Sequence, residues 1–203
     1  MKTVTTKPKV DLGLCTGDGI CELVCPVLAI KMVDRIPQHD DDKCMGCGNC
    51  EARCPVFAIT MVPREKPRKV GVNPKEVDFK KILEICFKAK HNPKEIICYC
   101  TGTRAEEVAA AILKGATTPE QISLMTGART GCKVECIQPI LRLLAGAGIE
   151  PKPPKGWLWY GRTKTIWEIP EEVKRKYTQQ GFYFDQDLKL LDKIAHAKLP
   201  EVK

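Results

Sequence analysis

Residues 44–55 read CMGCGNCEARCP, and 29 residues earlier the chain reads CTGDGICELVCP. Cys15 aligns with Cys44, Cys21 with Cys50, Cys25 with Cys54 and Pro26 with Pro55, while Asp18 stands where the second copy has Cys47. Thiolates at C-x2-C-x2-C spacing wrap a loop around one corner of a cuboidal iron–sulfur core, so that three ligands converge and a fourth must come from far away in sequence. Glycines between them let backbone N–H groups point at the sulfides and offset their negative charge. Asp18, flanked by Gly17 and Gly19, has the offset to reach the iron that a thiolate would otherwise hold. A carboxylate oxygen is a harder and more weakly held ligand for that iron. Three readings stay open for Asp18: ligand to a four-iron cluster with one labile iron, a free carboxylate at the open corner of a three-iron cluster, or a turn residue touching no iron.

A third constellation is C98-Y-C100 followed, after 31 residues, by C132-K-V-E-C136. Helical sequence between the pairs brings them together, and Gly131-Cys132 is expected at a helix N-terminus, where unpaired N–H groups favour an anion. Four thiolates also suit a structural zinc, although zinc sites more often open with C-x2-C. Cys86 lacks a partner at ligand spacing and reads as a small buried hydrophobe. The histidines, His39, His91 and His196, are isolated and read as structural or surface residues.

These residues need elements to hold them. The two copies also share Gly19/Gly48, Glu22/Glu51, Val27/Val56, Ala29/Ala58, Ile30/Ile59 and Met32/Met61. Each copy reads as a ligand loop, a short helix ending at Cys-Pro, and an apolar strand, AIKMV or AITMV; proline stops the helix and turns the chain back. Such a repeat predicts a pseudo-two-fold unit over residues 1–62. Residues 63–93 read as a proline- and charge-rich linker (63–78) followed by an amphipathic helix over about 78–90. Residues 94–148 read as a helical unit. TRAEEVAAAILKG offers Thr103 as cap and Gly115 as stop. TTPEQISLMTG has Thr118 as N-cap, Pro119 at the first position, Gln121 at capping-box spacing and Gly127 at the end; a third helix runs through CKVECIQPILRLLAG. Residues 149–203 contain no cysteine and hold eight of the twelve aromatic residues, among them Trp157, Trp159, Tyr160, Trp167 and Tyr177. That extension either folds over the chain's own domains or lies along a partner as an aromatic anchor.

Composition narrows the field. Twelve cysteines in 203 residues suit either a disulfide scaffold or metal binding. The N-terminus, MKTVTTKPKV, has no apolar export segment, and the cysteines cluster at fixed spacings, which points to metal in a reducing, cytoplasmic compartment. No run approaches the roughly 18 apolar residues of a membrane span. The net charge of +8 is scattered, with no aromatic–basic module for nucleic acid, and suits a solvated surface or steering toward an acidic protein partner. Plentiful lysine with scarce Asn and Gln leans toward a heat-adapted source.

Residues 9–62 resemble bacterial-type two-cluster ferredoxins, whose crossed ligation is a known feature of this cysteine run. The resemblance implies that Cys44, Cys47, Cys50 and Cys25 hold cluster II, a [4Fe–4S] centre. Cluster I falls to Cys15, Asp18, Cys21 and Cys54, as a [4Fe–4S] with an aspartate ligand or a [3Fe–4S]; some archaeal ferredoxins also have aspartate in this slot. Residues 95–147 resemble the bacterioferritin-associated-ferredoxin-like (BFD-like) family, which implies a [2Fe–2S] cluster on Cys98, Cys100, Cys132 and Cys136 in a small helix-turn-helix fold. The second pair departs from many members in having three intervening residues. The expected fold class is therefore α+β: a ferredoxin-like domain, a small helical BFD-like domain and an aromatic-rich extension. With no dinucleotide fingerprint, P-loop or substrate constellation, the chain reads as a wire for single electrons. The resemblance implies an electron-relay subunit in a hetero-oligomer with a flavoprotein dehydrogenase. The alternatives are a free-standing ferredoxin shuttle and an iron or copper delivery protein.

Overall fold

The computed structural model describes residues 2–132, 136–153 and 161–199. The elements run β1 (Lys2–Val10), α1 (Ile20–Leu23), β2 (Ile30–Val33), β3 (Ile36–His39), α2 (Asn49–Arg53) and β4 (Ile59–Val70). After them come α3 (Phe79–Lys88), β5 (Ile96–Cys98), β6 (Thr103–Arg104), α4 (Ala105–Leu113), α5 (Pro119–Thr126), α6 (Ile137–Gly146), α7 (Glu171–Thr178) and α8 (Phe184–Ala195). The fold is α+β, as expected.

The internal repeat is built into the strand register. β2 and β3 form one antiparallel pair and β1 and β4 another. Pro37 faces Met32 in the first, and Pro8 faces Met61 in the second, each residue displaced by the 29 of the repeat. Asp34 and Arg35, both at positive φ (49° and 63°), close the β2–β3 hairpin in the two-residue turn that matches strand twist. Each strand's apolar side chains cover the inner face: Ile30 and Ile59 are buried with Cys21 and Cys50, while Val10, Met32 and Met61 pack on them.

The stretch expected as a linker is largely strand. β4 continues to Val70, and Val70 and Arg68 pair with Lys2 and Val4 beyond an irregularity between Val4 and Thr6. Pro63 and Pro67 are tolerated because a two-stranded ribbon consists only of edges. Chain order returns after a 3-10 turn at Pro74–Glu76, where Asp78 accepts from the Lys80 N–H and caps α3.

In the second unit α3, α4, α5 and α6 enclose one core, with Ile82, Val108, Ile122, Ile140, Leu143 and Leu144 all fully buried or nearly so. Alanines fill the face of α4, so its neighbours approach closely. α5 starts as expected: Thr118 accepts from the Gln121 N–H, Pro119 follows, and Gly127 at φ 83° ends it. Gln121 returns its side chain to the Thr117 N–H, one residue before the expected cap. Thr103 does not cap α4. It is buried in the β5–β6 hairpin opposite Cys98, and Arg104 takes the N-cap position with its N–H donating to Glu107. α6 begins at Ile137 with Cys136 as N-cap, so Gly131-Cys132 lies in a bend ahead of the helix and not at its N-terminus. The intervening residues 133–135 of the ligand loop lie outside the described residues.

The described part of the extension folds back on the second unit. Gln138 accepts from the Thr163 N–H, Asn92 donates to the Ala197 carbonyl, and the Phe87 ring meets His196 at 4.8 Å. Trp167 lies under the Lys90 ammonium. Trp157, Trp159 and Tyr160 lie outside the described residues. Among the described residues no helix is long and apolar enough to cross a membrane.

Candidate metal centres

The two copies of the cysteine run meet across α1 and α2. One small cavity is lined by Cys44, Cys47 and Cys50 together with Cys25 from the other copy. Its counterpart is lined by Cys15, Asp18 and Cys21 together with Cys54. In each copy the last cysteine, followed by proline, lies just beyond the short helix and lines the cavity of the other copy.

Glycines shape both loops. Gly46 at φ 57° sits so close to β1 that a Cβ would lie 2.7 Å from the Thr6 carbonyl oxygen. Its repeat mate Gly17, at φ 68°, would strike the Arg35 carbonyl oxygen at the same distance. Glu22 accepts from the Met32 N–H and Glu51 from the Met61 N–H, both at 2.9 Å, which ties each short helix to the strand that follows. The Ala29 N–H donates to Cys25 Sγ (3.1 Å) and the Ala58 N–H to Cys54 Sγ (3.3 Å). The Gly46 N–H reaches Cys44 Sγ at 3.4 Å. Donors aimed at sulfur are what a thiolate bearing excess charge requires.

The symmetry breaks at Asp18. Cys47 Sγ accepts from the Asn49 amide at 3.1 Å. Asp18 lines its cavity at the equivalent place, but both carboxylate oxygens already serve the loop: Oδ1 accepts from the Ile20 N–H and Oδ2 from the Thr16 hydroxyl, each at 2.9 Å. Burial pushes the Cys50 thiol up to about 12, with the neighbouring Cys47 adding to the rise, and lifts Cys44 and Cys21 in the same direction. Thiols packed this way cannot ionise together without a compensating cationic core, and iron supplies one. The residues of both cavities therefore fit iron–sulfur clusters. Among the described residues no three His, Cys, Asp or Glu side chains converge on a single-ion position.

The third site joins the end of β5 to the start of α6. Cys98 and Cys136 are buried with their side chains within hydrogen-bonding contact of each other. That contact holds Cys98 down at about 5, helped by the Thr101 hydroxyl and the Arg129 N–H, and pushes Cys136 up. Cys100 and Cys132 are exposed, and the Cys132 N–H donates to Cys100 Sγ at 3.4 Å. Gly131 makes that approach possible, since a Cβ there would lie 2.4 Å from Cys100 Cβ. Two thiols thus face the core and two face solvent beside Tyr99, which is 79% exposed. A cluster with one edge at the surface fits this arrangement.

Three contributors escape a reading of spacings. Arg129, at φ 65°, is buried against Glu120 (2.9 Å) and turns its backbone N–H to Cys98 and Cys136. An arginine inside the small-residue turn TGARTG is the one local signal for it. Met45 is 1% exposed under the second loop, and Lys2 reaches Thr130 across the molecule; nothing local marks either. His39, His91 and His196 each pair with an acidic neighbour, Asp41, Glu95 and Asp192. Cys86 is fully buried in the helical core.

Two protein-family models match the stretches that contain the cysteines of these sites. A model described as 4Fe-4S dicluster domain matches residues 7–55, and one described as BFD-like [2Fe-2S] binding domain matches residues 96–146. Neither a curated protein nor a solved structure matches the chain. The chain accordingly carries, in this order, a 4Fe-4S dicluster domain and a BFD-like [2Fe-2S] binding domain, which makes it an iron–sulfur electron-transfer protein.

Proposed function

We propose that the chain is the electron-relay subunit of a larger, flavin-dependent oxidoreductase in the cytoplasm. Cys44, Cys47, Cys50 and Cys25 hold a [4Fe–4S] cluster, and Cys98, Cys100, Cys132 and Cys136 a [2Fe–2S]. Cys15, Cys21 and Cys54 hold the remaining cluster, with Asp18 at its fourth corner. Bound clusters accept and release electrons singly, which is what a partner flavin reduced by two electrons needs. The chain's own part is to fix those stations: crossed cysteines lock two of them into one rigid unit, N–H donors steady the sulfurs, and buried walls exclude water. The exposed Cys100–Cys132 edge supports electron exchange with a partner protein at that end. The observation that carries the reading is the exchange of Cys25 and Cys54 between the two cavities.

Iron, labile sulfide and flavin measured on material isolated without oxygen from its native source test it. The expected result is three distinguishable cluster signals in a stable complex that also contains a flavoprotein. A clean monomer of 22.7 kDa with the same clusters would make it a free shuttle. Zinc in place of iron would end the proposal.

A further inference from the structure

The extended half of the β1–β4 ribbon backs the second ligand loop, where Arg68 donates to the Cys44 carbonyl at 2.7 Å. It runs past the ferredoxin-like unit and lays its end against the turn that closes the third site. Lys2 Nζ donates to Thr130 Oγ1 at 2.6 Å, and Thr130 is itself buried, its hydroxyl donating to the Gly127 carbonyl at 2.7 Å. At Gly127 an added Cβ would lie 3.3 Å from Lys2 Cδ and 3.7 Å from Met45 Cε, so no side chain separates the two units there. Met45 sits between Cys44 and Cys47 in sequence and is buried with Val4, Val70, Cys25 and Cys44, on which Leu124 of α5 packs. On the far side of the same turn, the Arg129 N–H faces the Cys98 and Cys136 sulfurs. The thiols within electrostatic reach of Lys2 are Cys47 and Cys44 from one unit and Cys98 from the other.

We infer that the second four-cysteine set and the third site are consecutive stations joined across this seam, and that the Lys2 ammonium is a positive charge they share. The inference rests on the ligand sets proposed above. The order of stations is then the Asp18 set, the Cys47 set, and the Cys98 set. One electron crosses the seam at a time: the reduced Cys47-set cluster is oxidised, the Cys98-set cluster is reduced, and Lys2 keeps its proton. A half-buried cation favours the more negative state of whatever lies beside it, and low local polarity strengthens the effect. Lys2 therefore favours the electron at both stations and is a positioning charge, since it ligates neither. Because the charge is shared, it lowers the difference between leaving the electron on one side of the seam and on the other.

The test is Lys2→Met in the full chain, with all clusters loaded under anaerobic conditions. Methionine keeps the apolar stem against Gly127 and removes the charge. Iron and sulfide content and the three EPR signals are measured first. If wild-type protein lacks them, the ligand sets are wrong and this inference goes with them, a failure visible before any potential is measured. With the clusters present, EPR-monitored redox titration should show the reduction equilibrium of both the Cys47-set and Cys98-set clusters falling about tenfold, or about 59 mV for one electron. The Asp18-set cluster should stay unchanged, and Lys2→Arg should recover most of the loss. Lys80→Met, which removes the same charge from the exposed start of α3, should move none of them. No shift at either station, a shift at only one, or an equal shift from Lys80→Met would overturn the shared charge. A second measurement does not depend on the variant folding: in wild-type protein, reducing the Cys47-set cluster should speed spin relaxation of the reduced [2Fe–2S] centre. Unchanged relaxation would overturn the order of stations.

Discussion

At the scale of single residues, Asp18 and Cys86 show how position decides chemistry. Asp18 occupies a thiolate's place, yet its oxygens are engaged by the Ile20 N–H and the Thr16 hydroxyl. Whatever iron it faces is held by a hard, already shared donor, so that iron should leave readily on oxidation. Asp18→Cys should convert the first cluster to full thiolate ligation: the three-iron EPR signal expected of briefly oxidised wild-type protein disappears, and the second cluster's spectrum does not move. Identical spectra for the two proteins would show that Asp18 only shapes its turn. Cys86 is the opposite case, a thiol with no metal to meet. Burial, ahead of the nearby Glu106 and Glu95 charges, pushes it up to about 12. The folded state thus prefers the protonated thiol, whereas the unfolded chain ionises it near the ordinary value of about 8.5. Its contribution to stability is intact below that value and is lost as pH rises toward 12, at up to about 1.4 kcal/mol per pH unit. Thermal midpoints of the loaded protein between pH 9 and 11 should therefore fall more steeply for wild type than for Cys86→Ala. Parallel curves would mean the thiol is not sealed from solvent.

Among elements, the crossing of α6 with α3 depends on one missing side chain. A Cβ at Gly146 of α6 would lie 2.7 Å from the Ile85 carbonyl oxygen and 3.3 Å from the Ala89 amide nitrogen of the segment ending α3. Gly146→Ala gains up to about 1 kcal/mol in helix propensity. Forcing the helices apart costs about 1–3 kcal/mol, and backbone atoms cannot swing aside as a side chain can. The net effect should be a loss, read as a thermal midpoint lower by several degrees; an unchanged or higher midpoint would show that α6 slides without cost. Such a contact also explains which elements a sequence discloses. The repeat exposes α1, α2, β2 and the start of β4, because their ligands, glycines and stop prolines all lie within a dozen residues. Thr118, Pro119 and Gly127 likewise bound α5 by local chemistry alone. The far half of β4 is hidden, because Pro63 and Pro67 argue locally for a linker and only pairing with β1, some 60 residues away, overrides them. The start of α6 is misread for a similar reason: Gly131 is drawn against Cys100 and away from any helix, a contact between segments that no window contains. The cysteines that line each cavity are the ones their spacing groups together, while the places of Lys2, Met45 and Arg129 are set by tertiary packing.

For the molecule as a whole, the question is what the last fifty residues do for the metal-binding body. No cysteine lies beyond Cys136, and among the described residues the core of the second unit draws on nothing past Ile149. Among the described residues the extension holds that core largely through polar contacts: Gln138 and Arg142 with Thr163, Asn92 with Ala197, and an exposed Lys90–Asp192 pair at 3.4 Å. Hydrogen bonds of this kind contribute about 0.5–1.5 kcal/mol each, and exposed ion pairs about 0–1. Phe87 against His196 and the buried Ala195 add a small apolar patch. Against these stands the entropy of ordering α7 and α8, which cancels much of the gain. A chain ending at residue 153 should consequently keep the same iron and sulfide per chain and the same visible absorption, and its thermal midpoint should fall by only a few degrees. Loss of the [2Fe–2S] absorption on truncation would show instead that the extension closes the helical core. Retained clusters would show that the segment bearing most of the chain's aromatic residues is not needed to hold them, which leaves contacts outside the metal-binding body as the place to seek its role.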